Sequence, residues 1–179
     1  MDKYSRLTST GLKLAAMALA IGAAGSAMAA NNATATATST VITPIAISKA
    51  ADLAFGSISV GALGGTVTVA TDGARTKTGD VFLAGGATGT AAKFDVTGSG
   101  TLTYSITLGG DTTLSDGTNT MAFARVSDLT GAGATSGNVT AGALIGGAQS
   151  IYVGGVLTVA ANQAAGAYTG NISATVDYN

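Results

Sequence analysis

The chain has 179 residues, eight basic and nine acidic side chains, and a formal net charge of −1. That balance leaves no basic patch, which argues against nucleic acid and anionic membrane surfaces as partners. There is no histidine and no cysteine, so neither a Ser-His-Asp nor a Cys-His arrangement can be assembled, and no disulfide can form.

In chain order, Lys3, Arg6 and Lys13 form a positive start, Leu14 to Ala24 an apolar run, and Ala27-Met28-Ala29 a small-x-small cleavage pattern. The apolar run is too short to span a bilayer, so residues 1–29 are expected to be a signal peptide that exports the remainder. The mature part, Ala30 to Asn179, keeps five basic residues against eight aspartates and is about one domain long. No later run is apolar enough to predict a transmembrane segment after signal cleavage. All nine acidic residues are Asp, a residue that suits turns, whereas Glu suits helices.

Residues 30–44 follow as a segment of their own. Ala33, Ala35, Ala37, Ser39 and Val41 fall on one face of an extended chain, and Thr34, Thr36, Thr38 and Thr40 on the other. Threonine is held extended at little cost, yet a lone amphipathic strand cannot bury its apolar row unless something receives it. The connector Val41-Ile42-Thr43-Pro44 contains no glycine and the only proline of the chain. Its β-branched residues favour extension over a tight reversal, so the segment is expected to project outward.

From residue 45 onward the chain reads as short strands. Leu53 and Phe55 share a parity that shifts at Gly56 to Ile58 and Val60, predicting a bulge at the glycine. Val67 with Val69, Val81 with Leu83, and Phe94 with Val96 mark three more strands. Leu102, Tyr104, Ile106 and Leu108 alternate without a break, Asn119 to Val126 follows the Asp116-Gly117 turn, and Gly131 to Gly147 reads as a loop. Ile151, Val153, Leu157 and Val159 alternate across Gly154-Gly155. Strands at such intervals, with no convincing helix, predict an all-β sandwich over residues 45–179.

The closing strand has the clearest pattern. Tyr168, Ile172, Ala174, Val176 and Tyr178 lie on one face and Thr169, Asn171, Ser173, Thr175 and Asp177 on the other, after a turn at Ala165-Gly166. This stretch resembles the closing strand of chaperone–usher pilus subunits, where a glycine commonly stands fourteenth from the C-terminus and a tyrosine next to last, the places of Gly166 and Tyr178. Leu53-Ala54-Phe55-Gly56 resembles the Leu-x-Phe-Gly opening of the archaic, spore-coat-U-like branch, although the cysteines of that branch are missing. The whole mature chain, from its Ala-Thr repeats through Thr-Pro-Ile-Ala-Ile-Ser-Lys to Leu-Thr-Val-Ala-Ala-Asn-Gln, is similar to the bacterial family called domain of unknown function 4402.

The pilus resemblance implies an immunoglobulin-like β-sandwich lacking its last strand, with a groove beside the closing strand. It implies that a periplasmic chaperone fills the groove first. During assembly at an outer-membrane usher, the N-terminal strand of a neighbouring copy then takes its place. The donor residues would be Ala33, Ala35, Ala37, Ser39 and Val41; the groove and closing strand would use Gly166, Tyr168, Ile172, Ala174, Val176 and Tyr178. The underlying chemistry is β-augmentation of an incomplete sheet. The expected product is a homopolymeric fimbrial filament on the bacterial surface, acting in adhesion.

Other chemistries find little in these residues. Asp72, Asp80, Asp111 and Asp116 read as turn residues, not as a glycosidase pair. Gly131 to Gly137 misses the dinucleotide-binding spacing, and Asp111 to Asn119 offers oxygen ligands without calcium-loop spacing or a bidentate Glu. The expectation is therefore no catalytic residue, no cofactor and no metal. The alternative reading is a self-contained sandwich that binds carbohydrate or another surface ligand, although the sequence has no Trp to form a sugar platform.

Overall fold

A computed structural model of the chain describes residues 31–84 and 89–179, so the expected signal peptide, residues 1–29, lies outside the described residues. The chain divides into two units, Met1–Thr40 and Val41–Asn179. In the first, residues 31–40 are exposed and form no strand. The Ala-Thr alternation thus pairs with no strand among the described residues, and β-structure needs a second strand to receive its backbone N–H and C=O groups.

The second unit is all-β. Its strands are β1 (Ala46–Ala51), β2 (Ile58–Val69), β3 (Arg75–Leu83), β4 (Ala92–Thr97), β5 (Thr103–Gly110), β6 (Thr113–Ser115), β7 (Thr120–Asp128), β8 (Ala141–Ala143), β9 (Ala148–Val159) and β10 (Ile172–Tyr178). All pairings are antiparallel, in a sheet of β1, β4, β9, β2, β3, β7 and β6 and a smaller one of order β10-β5-β8. No helix occurs among the described residues. Two antiparallel sheets enclosing an apolar layer are consistent with a β-sandwich.

The long strand β9 organises the large sheet. Along one edge it pairs first with β4, from Ala148 to Val153, and then with β2, from Gly155 to Val159. Its other edge pairs with β7 from Tyr152 to Thr158. The handover from β4 to β2 falls at Gly154, where a Cβ would overlap the carbonyl oxygen of Val69. Only glycine lets the two backbones approach so closely.

Apolar side chains facing inward make two clusters. Ala92, Phe94, Val96, Ile151 and Val153 of the large sheet pack on Tyr104, Ile106 and Val176 of the small one, with Leu144 beside them. The second cluster, Phe55, Val67, Val69, Val81, Met121, Phe123, Leu157 and Val159, lies over the far half of β9, and none of its fully buried members comes from the small sheet. Burying each such large side chain contributes about 1.5–3 kcal/mol. The small sheet covers half of β9, and something else has to cover the remainder.

That cover is a folded-back ribbon. Val60 pairs with Val81 and Gly65 with Gly79, so Gly61 to Gly64 bulge opposite Asp80. Gly64 and Gly79 have φ of 69° and 67°, a left-handed conformation that costs glycine little. The reversal returns Ser57 and Ala84 to the start of β3, where the Arg75 guanidinium donates to the carbonyls of Phe55 at 2.6 Å and of Ser57 and Ala84 at 3.5 Å each.

Several expectations are corrected. The closing strand begins at Ile172, not Tyr168. Gly170 stands tight against Leu114 and Thr113, and a Cβ there would lie 2.8 Å from Leu114 Cδ2, so the chain passes through a close approach before it can pair regularly. Leu53 and Phe55 lie outside any strand, with only an isolated bridge between Ala54 and Thr90. Gly56 has φ of 68° and turns the chain there. The stretch from Gly131 to Gly147 holds β8 and the buried Leu144. β1, with Ile47 as its one large apolar side chain, has no clear pattern in the sequence; it pairs with β4 as an edge.

Candidate functional site

Between the folded-back ribbon and the approach to β10 the second apolar cluster is left open as a groove of about 890 Å³. One wall is Leu53 to Val60, the other is Gln163 to Gly170 with Ile172, and the floor is Leu114, Met121, Phe123, Leu157 and Val159. The floor follows from strand parity: Met121 and Phe123 of β7, and Leu157 and Val159 of β9, present alternate side chains to the same face. Phe55 meets Phe123 edge to face, with ring centroids 5.8 Å apart, the geometry that aromatic quadrupoles prefer.

The groove lies beside an unfilled sheet edge. Among the described residues β10 pairs with β5 alone, so its other edge keeps unpaired backbone donors and acceptors. Ile172, Ala174, Val176 and Tyr178 alternate inward, half-buried except for the buried Val176, while Ser173, Thr175 and Asp177 face solvent. Ile172 packs against both clusters, and Tyr168 against the groove cluster.

Of the residues singled out from sequence, Gly166, Tyr168 and Ile172 come together at the groove. Tyr168 is held by its hydroxyl, which donates to Ala164 O at 2.8 Å and accepts from Gln163 Nε2 at 2.8 Å. Gly166 passes so near Asp116 that a Cβ would sit 2.9 Å from the carboxylate Oδ2. Asp116 Oδ1 accepts the amides of Asn119 at 2.6 Å and Thr118 at 2.9 Å, and Oδ2 accepts from Asn119 Nδ2 at 3.0 Å. These donors hold its carboxyl at about 2, well below the ordinary carboxylate range.

Ala174, Val176 and Tyr178 run away from the groove towards the opposite end of the domain. There Tyr178 Oη accepts the amide of Ser99 at 2.6 Å and donates to Thr43 O at 3.0 Å. Ala33, Ala35, Ala37 and Ser39 belong to the first unit and are exposed, as is Val41 at the start of the second, with 95% of its surface accessible. Among the described residues no cluster of Asp could hold a metal ion, and none forms a helix long and apolar enough to cross a membrane.

Sequence reasoning did not single out the groove floor, nor Arg75. Met121, Phe123, Leu157 and Val159 were legible as strand residues, but that their face stays half-covered depends on where β10 begins. An Arg in a chain with so few charges is the one signal that could have marked Arg75.

The fold and the groove define a class: an all-β domain of two antiparallel sheets, with an apolar groove open beside an unpaired strand edge. The chain belongs to the family described as Domain of unknown function (DUF4402), which it matches over residues 45–178. The match begins one residue before β1 and ends on the last residue of β10, so the Ala-Thr segment and its connector lie outside it. No curated protein and no solved structure matches the chain.

Proposed function

We propose that the protein is a structural subunit of a bacterial surface filament, exported by way of the periplasm and assembled by donation of an N-terminal strand between copies. The observation that carries this reading is the open groove beside the unpaired edge of β10, together with an alternating segment that forms no strand among the described residues. In this reading the domain is an immunoglobulin-like sandwich lacking one strand. Ala33, Ala35, Ala37, Ser39 and Val41 of another copy supply the missing apolar row, a periplasmic chaperone holds the groove beforehand, and an outer-membrane usher directs the exchange.

Direction and polarity support it. At the Tyr178 end the flank is occupied by the connector at Thr43, so the groove is open at its Gly166 end. A donated segment followed by a short connector must leave at the open end, which sets it antiparallel to β10. The connector leads into β1 where Ala46 pairs with Thr97, itself opposite Ala148 at the beginning of β9, whereas the groove floor includes Val159 at its end. The two ends are the first and last residues of the twelve-residue β9, about 36 Å apart over its length at about 3.3 Å per step. A segment leaving one end and received at the other end of the next copy makes a heterologous contact, which propagates without closing.

The test is deletion of Ala30–Thr40. The purified mature chain should form filaments visible by electron microscopy, and the deleted chain should remain folded but monomeric by size exclusion. An intact mature chain that stays sharply monomeric favours the self-contained binding module.

A further inference from the structure

We propose that successive copies also grip each other end to end, through an apolar patch around Ile145 and Leu102 that docks against the Leu63 bulge of the next copy. This rests on the strand-donation reading above and adds a contact surface that the exchange alone does not require.

Six large apolar side chains are exposed among the described residues: Val41, Ile42, Leu63, Phe82, Leu102 and Ile145. Four of them gather at the end where the connector starts. Val41 and Ile42 directly precede Thr43, which is tied to Tyr178 and, through its hydroxyl, to Ser99. Ser99 neighbours Gly98 and Gly100, which are bonded to Gly147, and Leu102 O accepts the amide of Leu144, beside Ile145. Ile145 is 78% exposed although it flanks the fully buried Leu144. Solvated single apolar residues are ordinary, but Ile42, Leu102 and Ile145, left at that end once Val41 is seated in a groove, make a patch that association would bury.

Leu63 stands at the other end, 85% exposed, on the bulge where the ribbon folds back. Its amide points to Asp80 Oδ2, and the neighbouring Gly61 O accepts the amide of Asn162 just beyond β9. The backbone of Ala160 and Ala161 passes close to the next residue, Gly64, and Ala164 lines the groove a few residues on.

Connector length brings these ends together. With Val41 of one copy the last residue seated in the groove of the next, only two steps of chain reach Thr43, at most about 7 Å when fully extended. Thr43 is fixed to its own domain by Tyr178. Thr43 of the donor copy is therefore held within that distance of the groove mouth of the acceptor, which brings the donor's patch to the end where the acceptor's Leu63 stands. The contact is heterologous: the donor uses Ile145 and Leu102, the acceptor uses Leu63.

Because the protein has no native cysteine, the contact can be measured with single-cysteine full chains. A donor chain carrying Ala37→Cys is titrated against a tagged acceptor chain carrying Ile172→Cys, and the concentration giving half-maximal disulfide heterodimer is read. A synthetic peptide of residues 31–44 with the same Ala37→Cys substitution serves as a donor lacking the patch. Adding Ile145→Asp to the donor chain should weaken capture about tenfold, while the same substitution on the acceptor should change nothing. Leu63→Asp on the acceptor should weaken capture of the whole donor about tenfold and leave capture of the peptide unchanged. Equal capture of the unmodified and Ile145→Asp donors, with the peptide also captured, would overturn the end contact and leave strand donation standing. If neither peptide nor unmodified donor cross-links, strand donation fails and the end contact falls with it.

Discussion

The hydroxyl of Tyr178 donates to the carbonyl oxygen of Thr43 across a sequence separation of 135 residues, at 3.0 Å. The last residue of β10 is thereby fastened to the connector at the start of the domain. The seat is shaped for it: a Cβ on Gly98 would overlap the same hydroxyl, which also accepts the Ser99 amide. Tyr178→Phe keeps the ring and removes both hydrogen bonds, so chemical denaturation should show a loss of about 1–2 kcal/mol. Hydrogen exchange of the Ser99 amide should quicken in the same variant. Unchanged exchange there would mean that the hydroxyl restrains nothing.

Arg75 holds the groove wall through three carbonyls, of which Phe55 O at 2.6 Å is the closest. Arg75→Ala leaves those oxygens to water and frees the ribbon to swing from β3. Charge-assisted bonds of this kind are worth about 1.5–3 kcal/mol where they are shielded. Arg75 is half-buried and two of the three contacts are long, so a loss near the lower figure is expected in denaturant unfolding. Lysine, a point charge on a flexible stem, should restore only part of it.

The two faces of β10 should respond oppositely to charge. Val176 is 7% exposed, and Val176→Asp places a carboxylate against Phe94, Tyr104 and Ile106 with no partner. Burial of that kind costs several kcal/mol and should abolish folding, read as loss of soluble protein. Thr175→Asp, on the solvent face, should shift the melting temperature by no more than a degree or two. Similar melting of both variants would reverse the assignment of faces.

Acid should loosen the loop at Asp116 first. Its carboxyl titrates at about 2, below the ordinary carboxylate value of 3.8, because the Asn119 and Thr118 donors favour the charged form. A folded-state value below the unfolded one gives stability that is present in full above pH 4 and is lost as pH falls towards 2. Asp128 adds to the same window: burial pushes its carboxyl up, but Thr71 and the amides of Gly131, Thr130 and Ala132 bring it below the usual value. Thermal unfolding between pH 5 and pH 2 should therefore show a falling melting temperature. Asp116→Asn should lower it at pH 5 and flatten the fall; an unchanged slope would mean that Asp116 contributes nothing to the acid sensitivity.

The fold was legible in the sequence wherever a strand has one wet face and one dry face. β4, β5, β9 and β10 declare themselves through Phe94 and Val96, Tyr104 and Ile106, Ile151 and Val153, and Ala174 and Val176. β1 is an edge held by backbone pairing, with little apolar contrast between neighbours, so its pattern is faint. β6 and β8 have three residues each, too few for a period to register. The groove wall is the deeper case. Gly61, Gly64 and Gly65 could signal a bend, but the reversal of the ribbon is fixed by Arg75 reaching Phe55, a contact between residues twenty positions apart. The closing strand's inward row was readable, yet the unfilled edge beside it is a property of the assembled sheets and not of any one segment.

Strand donation puts the Ala37 row of one chain in the groove of another. Two sets of full-length chains, each with one cysteine, test it directly: Ala37→Cys or Thr36→Cys as donor, mixed with Ile172→Cys as acceptor under mild oxidation. A disulfide-linked heterodimer is expected with Ala37→Cys and little with Thr36→Cys, since strand donation turns only the alanine row to the groove. Equal yields from the two donors, or no heterodimer from either, would contradict it and leave Ala33 to Thr40 as a tether.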